Sequence, residues 1–107
     1  AALRLAYEHE IFVELVVPTR LAPFDLTPVL ASARRTGRLL TIEEGTPALG
    51  WGSEVLAQAS EALGARLHTA HRLAAAPHPI PASGPLEAAA LPGVEQILAA
   101  AHLACQA

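Results

Sequence analysis

An α/β fold, with helices alternating with short apolar strands around a mostly parallel sheet, is what this 107-residue sequence predicts. Three observations carry that reading. The length suits one compact domain over residues 1–107 with a single core and leaves no room for two. Hydrophobic residues make up 52% of the chain but aromatic ones only 4%, so the core is built mainly from Ala, Leu, Val and Ile, which suits helix-on-sheet layers. Short runs of strand-forming residues at 11–17 and 39–42 also alternate with stretches whose apolar residues recur at helical spacing.

Taken in order, Leu3, Leu5, Ala6 and Tyr7 lie among helix formers without Gly or Pro, and read as the tail of a helix. Residues 11–17, nearly all apolar and rich in β-branched types, predict a strand covered on both faces and ended by Pro18. Thr27 predicts an N-cap with Pro28 at the first helical position, and Gly37 the stop of a short helix. Residues 39–42 then predict a second buried strand bounded by Glu43-Glu44-Gly45. Gly50-Trp51-Gly52-Ser53 leads into a helix through Leu63, with Val55, Leu56, Ala59, Ala62 and Leu63 on one face and Gly64 as its cap. Residues 65–73 predict a third strand. Pro77, Pro79, Pro81 and Pro85 predict an extended strap, and Pro92 opens a last helix burying Val94, Ile97, Leu98, Ala101 and Leu103.

A net charge of −3 with 7 basic residues against 10 acidic ones argues against nucleic acid and anionic membrane as partners. Apolar runs are interrupted well short of the roughly 20 residues of a membrane span, so no membrane segment is expected. The single Cys105 can form no internal disulfide, which predicts a reduced, cytoplasmic chain. With no Met and no signal-peptide layout, the sequence reads as a piece of a longer polypeptide.

Residue chemistry offers few sites. His9, His68, His71, His78 and His102 have no zinc-type spacing, so surface or loop histidine is the expectation and no metal is assigned. Glu43 and Glu44 follow a predicted parallel strand, where ligands of open α/β sheets gather. Adjacent strand carboxylates point to opposite sides, which favours a structural role such as pairing with Arg20 or accepting backbone donors from the glycine loop. Gly50-x-Gly52-Ser53 could hold an anion on free N–H groups, but lacks the third glycine of a dinucleotide fold and the Lys-Ser/Thr of a phosphate loop. Tight packing of the helix start, with Trp51 at an interface, is the plainer reading. No complete active site, cofactor site or catalytic residue is expected within the chain.

An ordered set of motifs resembles the C-terminal domain of transketolase-like enzymes. It comprises Leu21-x-Pro23-x-Asp25, Gly37-Arg38-Leu39-Leu40-x-x-Glu43-Glu44-Gly45, Gly50-x-Gly52-x-Glu54, Arg72, Pro79-x-Pro81-x-Ser83-x-x-Leu86-Glu87 and Leu91-Pro92. The proline strap is most similar to the β subunit of the thiamine-diphosphate-dependent 2-oxo acid dehydrogenase first component. The resemblance implies a three-layer α/β/α domain whose role is assembly and subunit contact, within a parent that oxidatively decarboxylates a 2-oxo acid and passes the acyl group to lipoyl. Thiamine diphosphate and Mg would then be bound by other domains of the parent. Implied partners are an α subunit, a second β subunit and the acyltransferase core. Gly50, Trp51, Gly52 and Glu54 would lie at a subunit contact, while Pro23, Asp25, Glu43, Glu44, Arg72, Pro79, Pro81 and Glu87 would be structural. The pattern departs from the family at Pro18-Thr19-Arg20-Leu21, which lacks the usual Asp, and at His68, where some members carry an acidic docking residue. The resemblance further implies a strand upstream of Ala1, beside both residues 11–17 and residues 39–42. Alternatives are the corresponding domain of transketolase or deoxyxylulose phosphate synthase, or a stand-alone module that binds an anion at the glycine-loop helix.

Overall fold

Gly37, at φ 72, ends helix α2 (Thr27–Thr36) and turns the chain directly into strand β1 (Arg38–Ile42). This left-handed turn suits glycine because it carries no side chain to clash. The computed structural model describes residues 1–76 and 82–106. Helix α1 (Ala2–His9) precedes α2; after β1 come helix α3 (Trp51–Leu63), a 3-10 turn (Gly64–Arg66), strand β2 (Thr69–Leu73), and helices α4 (Gly84–Ala90) and α5 (Val94–Gln106). Strands β1 and β2 pair in parallel, Arg38 opposite Thr69 and Ile42 opposite Leu73. Helix α3 makes the crossover that a parallel pair requires.

Alternate residues of β1 face opposite layers. Leu40 packs against a cluster of Leu5, Leu98 and Ala101, which brings α1 and α5 to one face. Thr41 lies under Gly52 of α3 on the other, with α2 beside α3. The sheet is small and two-stranded, flanked by helices. Both strand starts tie into the last turn of α5: the Arg38 Nε–H and the Thr69 hydroxyl donate to the Ala104 carbonyl at 3.0 and 3.1 Å. They satisfy a carbonyl that the helix end leaves without an intrahelical partner. Helix α1 is further held to α5 by Arg4, which reaches Glu95 at 2.6 Å, and by an edge-to-face contact of His9 and His102 with ring centroids 4.5 Å apart.

Residues 11–17 form no strand. The Ile11 N–H donates to the Leu5 carbonyl within α1, and Phe12, Leu15 and Val17 stand 83, 74 and 71% exposed. Strand propensity reflects packing on a sheet, and here no neighbouring ladder covers the segment. Its tether is Glu14, whose carboxylate accepts hydrogen bonds from the Arg35 guanidinium of α2, one of them at 3.1 Å. Hydrogen bonds from Arg35 first, and from Ser32 second, hold the Glu14 carboxyl below its ordinary value.

Other boundaries also differ. Thr27 is the first residue of α2 rather than its cap, and Asp25 takes the capping part, its Oδ1 accepting the Thr27 N–H at 3.0 Å. That backbone bond, with a second from the Thr27 hydroxyl, lowers the Asp25 pKa, so its support of α2 is present above the unfolded-state value and is lost as pH falls through the folded one. The 3-10 turn after Gly64 takes up residues expected in a strand, and β2 starts only at Thr69. Pro85 sits in the first turn of α4, where its missing N–H costs nothing, instead of in an extended strap. Pro77, Pro79 and Pro81 lie outside the described residues. In α5 the buried side is Leu98, Ala101 and Ala104, while Val94 and Leu103 are exposed. The stretch 84–106 is long and apolar enough by composition to cross a membrane, but Leu91, Pro92 and Gly93 divide it into two helices, the second packed across both strands.

Candidate functional site

The carboxyl ends of the two parallel strands bring most of the polar residues singled out in the sequence to one place. Glu43 continues the ladder past β1, its N–H donating to Leu73 at 3.0 Å. Its side chain turns under the start of α3. There Oε2 accepts the Trp51 N–H and Oε1 the Gly52 N–H, each at 3.1 Å. A carboxylate at this position also meets the positive end of the helix dipole.

The two glycines make this seat possible. A methyl group on Gly50 would run into the Thr46 carbonyl and the Glu43 carboxylate, and one on Gly52 would lie 2.6 Å from the Thr41 hydroxyl. Arg72, near the end of β2, braces the loop from the other side: its Nη1 donates to the Pro47 carbonyl and, at 2.5 Å, to the Ser53 hydroxyl. Ser53 in turn donates to Pro47 at 2.8 Å, and the Gly45 carbonyl accepts the Ala75 N–H at 2.9 Å. The loop from 43 to 53 is thus tied to both strands and to α3. At its tip Leu49 is fully exposed with φ 58.

This geometry limits the available chemistry. The Glu43 carboxylate is spent on two backbone donors, so it is not arranged to exchange a proton with a substrate. The same bonds take two of the N–H groups on which an anion would sit and put a carboxylate there, which disfavours a glycine-loop anion site. Glu44 points into solvent. Among the described residues no three His, Cys, Asp or Glu side chains converge as metal ligands.

Trp51 is half-buried, its ring edge-on to Phe24 at a centroid distance of 5.1 Å. Its indole N–H and the Thr41 hydroxyl are both buried without a hydrogen-bond partner among the described residues. Phe24 joins Trp51 to a shallow cleft of about 420 Å³ lined in part by Arg20, Pro23, Asp25 and Pro28. Glu43, Gly50, Trp51, Gly52 and Arg72 therefore form one cluster, and Pro23 and Asp25 adjoin it through Phe24. Glu54 faces solvent, bonded to Gln58 at 2.8 Å. Glu87 lies apart in the exposed first turn of α4, and Pro79 and Pro81 lie outside the described residues. Phe24 and Pro47 escaped sequence reasoning, and Ser53 was singled out only as part of the glycine loop, without its bonds to Pro47 and Arg72. Their contacts join positions on separate elements, which no local sequence signal reports.

A parallel strand pair whose first strand is followed by a glutamate, locked onto a glycine-rich helix start, accords with the family described as transketolase, C-terminal domain, which matches residues 1–97; the chain belongs to that family. Within it, the chain is homologous to the C-terminal region of pyruvate dehydrogenase E1 β subunits. It is 35% identical over 97% of its length to the mitochondrial pyruvate dehydrogenase E1 component subunit beta of Pisum sativum, covering 29% of that protein. It is 36% identical over 97% of its length to the corresponding subunit of Rhizobium meliloti (strain 1021), covering 24%. The beta subunit of acetoin:2,6-dichlorophenolindophenol oxidoreductase from Cupriavidus necator is 35% identical over 95% of the chain, which covers 30% of it. The chain thus spans less than a third of the length of these relatives.

Proposed function

We propose that this chain is the assembly and subunit-contact domain of a thiamine-diphosphate-dependent 2-oxo acid dehydrogenase, without a catalytic residue of its own. The parent would decarboxylate a 2-oxo acid oxidatively and pass the acyl group to lipoyl, in company with an α subunit, a second β subunit and an acyltransferase core. One observation carries the architectural part of this reading: the polar groups at the strand ends are consumed internally, Glu43 by the Trp51 and Gly52 N–H groups and Arg72 by Pro47 and Ser53.

The chain's own residues do not fit thiamine diphosphate and Mg²⁺. The helix start that offers N–H donors beside a glycine loop is already filled by Glu43, and no triad of metal-ligating side chains converges among the described residues. Cofactor binding is therefore assigned to other parts of the parent. Similarity to an acetoin oxidoreductase subunit, at 35% identity like the pea protein, favours a second reading in which the parent is an oxidoreductase that acts on acetoin. The exposed, free thiol of Cys105 suits a reducing compartment, of which the proposed cytoplasmic setting is one.

The proposed contact comprises Gly50, Trp51, Gly52 and Glu54. Within the domain Trp51 gains an edge-to-face contact with Phe24, worth about 1 kcal/mol, whereas a tryptophan at an interface centre contributes about 2 kcal/mol or more to association. Trp51→Ala in the assembled protein should therefore weaken subunit association, read by sedimentation equilibrium, more than it lowers domain stability, read by urea denaturation. Equal losses in the two measurements would assign Trp51 to ordinary internal packing.

A further inference from the structure

Helix α1 has 8 residues and buries one side chain, Leu5, against Leu98 and Ala101 of α5. A helix of that length does not persist in water by itself, so α1 exists only while it is docked. Two polar contacts fasten it. Arg4 bridges Glu8 of its own helix and Glu95 of α5. At the other end of α1 the His9 ring meets the His102 ring edge to face, with centroids 4.5 Å apart and planes at 86°. Arginine keeps its charge throughout the physiological range and carboxylates ordinarily titrate near about 4, whereas histidine ordinarily changes charge near about pH 6.5. Only the histidine fastening therefore responds to pH changes around neutrality.

We propose that the contact of His9 with His102 is a pH-sensitive clasp, which holds α1 on α5 while at least one ring is neutral and loosens it when both are protonated. Two unit charges 4.5 Å apart near the protein surface disfavour the doubly charged docked form by about tenfold, and separating the helices relieves the repulsion. Undocking then takes up protons, so docking is lost as pH falls through the histidine range. The charges around the pair do not cancel this. Glu8, whose Oε2 lies 3.9 Å from His9 Nε2, and Glu10, the cap of α1, stay beside His9 whether α1 is docked or not. Arg4 and Glu95 bind each other one helical turn and more away. On α5 the exposed Cys105 follows His102 by one turn, and thiols ordinarily remain neutral below about pH 8. From the sheet, Arg38 donates to Ala104 just past His102, and His71, opposite Leu40 in the strand register, faces the same layer. Both of these can only add positive charge. A single charge at the end of α1 suits the helix dipole, and it is the second that opens the clasp.

Amide hydrogen exchange of the intact protein, roughly one pH unit either side of the ordinary histidine value and corrected for the intrinsic rate, tests the proposal. Protection of α1 is expected to fall about threefold from the higher pH to the lower, while that of β1 holds. His102→Phe keeps an aromatic edge-to-face contact and removes the second charge, so the fall should vanish. His9→Phe, at an exposed position, should abolish it in the same way. His71→Gln should leave it intact. Constant α1 protection in the unaltered protein, a fall that persists in either phenylalanine variant, a fall abolished by His71→Gln, or an equal fall in β1 would each overturn the proposal.

Discussion

Glu43→Ala is expected to destabilise the domain by about 3 kcal/mol, the combined effect of two charge-assisted hydrogen bonds of about 1.5 kcal/mol each. The carboxylate accepts the first two N–H groups of α3, and neither has another acceptor once it is gone. The loss spreads along the loop, because the seat of α3 also sets the position of Ser53 and so of the Arg72 brace. Glu43→Gln keeps one acceptor oxygen and turns an amide N–H₂ towards a backbone donor, so it should fall between the alanine variant and the unaltered protein. Glu44→Ala removes an exposed neighbour of the same charge, and should stay within about 0.5 kcal/mol of the unaltered protein. Urea denaturation of the three variants reads the difference. If Glu43→Ala and Glu44→Ala lose equal stability, the carboxylate lock is not what holds α3 to the strand.

A second large effect is expected in hydrogen exchange. Among the described residues the backbone of residues 12–17 makes no hydrogen bond, although its side chains are those of a covered strand. The edge of β1 away from β2 is likewise without a strand partner. A parallel sheet is stable when its strands are covered on both faces, and exposed edges attract further chain. We propose that a strand from polypeptide outside these residues completes the sheet between the two. Amides 13–17 of the 107-residue chain should then exchange nearly as fast as in an unstructured peptide, while those of β1 are protected by pairing with β2. In protein carrying the completing strand, protection of 13–17 should rise by about a hundredfold or more, the range that separates frayed from core segments. Core-like protection of 13–17 in the shorter chain would contradict the proposed strand.

The parts of the fold that the sequence disclosed are those governed by neighbouring residues. Gly37 as the stop of α2, the apolar β1 after it and the glycine-led α3 all follow from local stereochemistry, and their positions agree within a few residues. Glu43 bonded to the glycine loop was one of two structural arrangements open to a strand-end carboxylate; Arg20, the other partner considered, lines the cleft near Phe24 instead. Residues 11–17 misled because β-branched composition reports that a segment would suit a sheet, and says nothing of whether a neighbouring ladder exists. The burial of Ala104 in place of Leu103 depends on where α5 crosses the strands, which its own periodicity leaves open by one residue. The Arg72 brace and the contact of His9 with His102 join elements distant along the chain, and no local rule foresees them.

Isothermal titration calorimetry of the chain with thiamine diphosphate and Mg²⁺ tests the architectural account most directly. With the α3 N–H donors held by Glu43 and Arg72 bonded to Pro47 and Ser53, no saturable heat is expected at any cofactor concentration that saturates a complete thiamine-dependent enzyme. A saturable heat with one cofactor bound per chain would contradict the account, and would place a cofactor site within this domain.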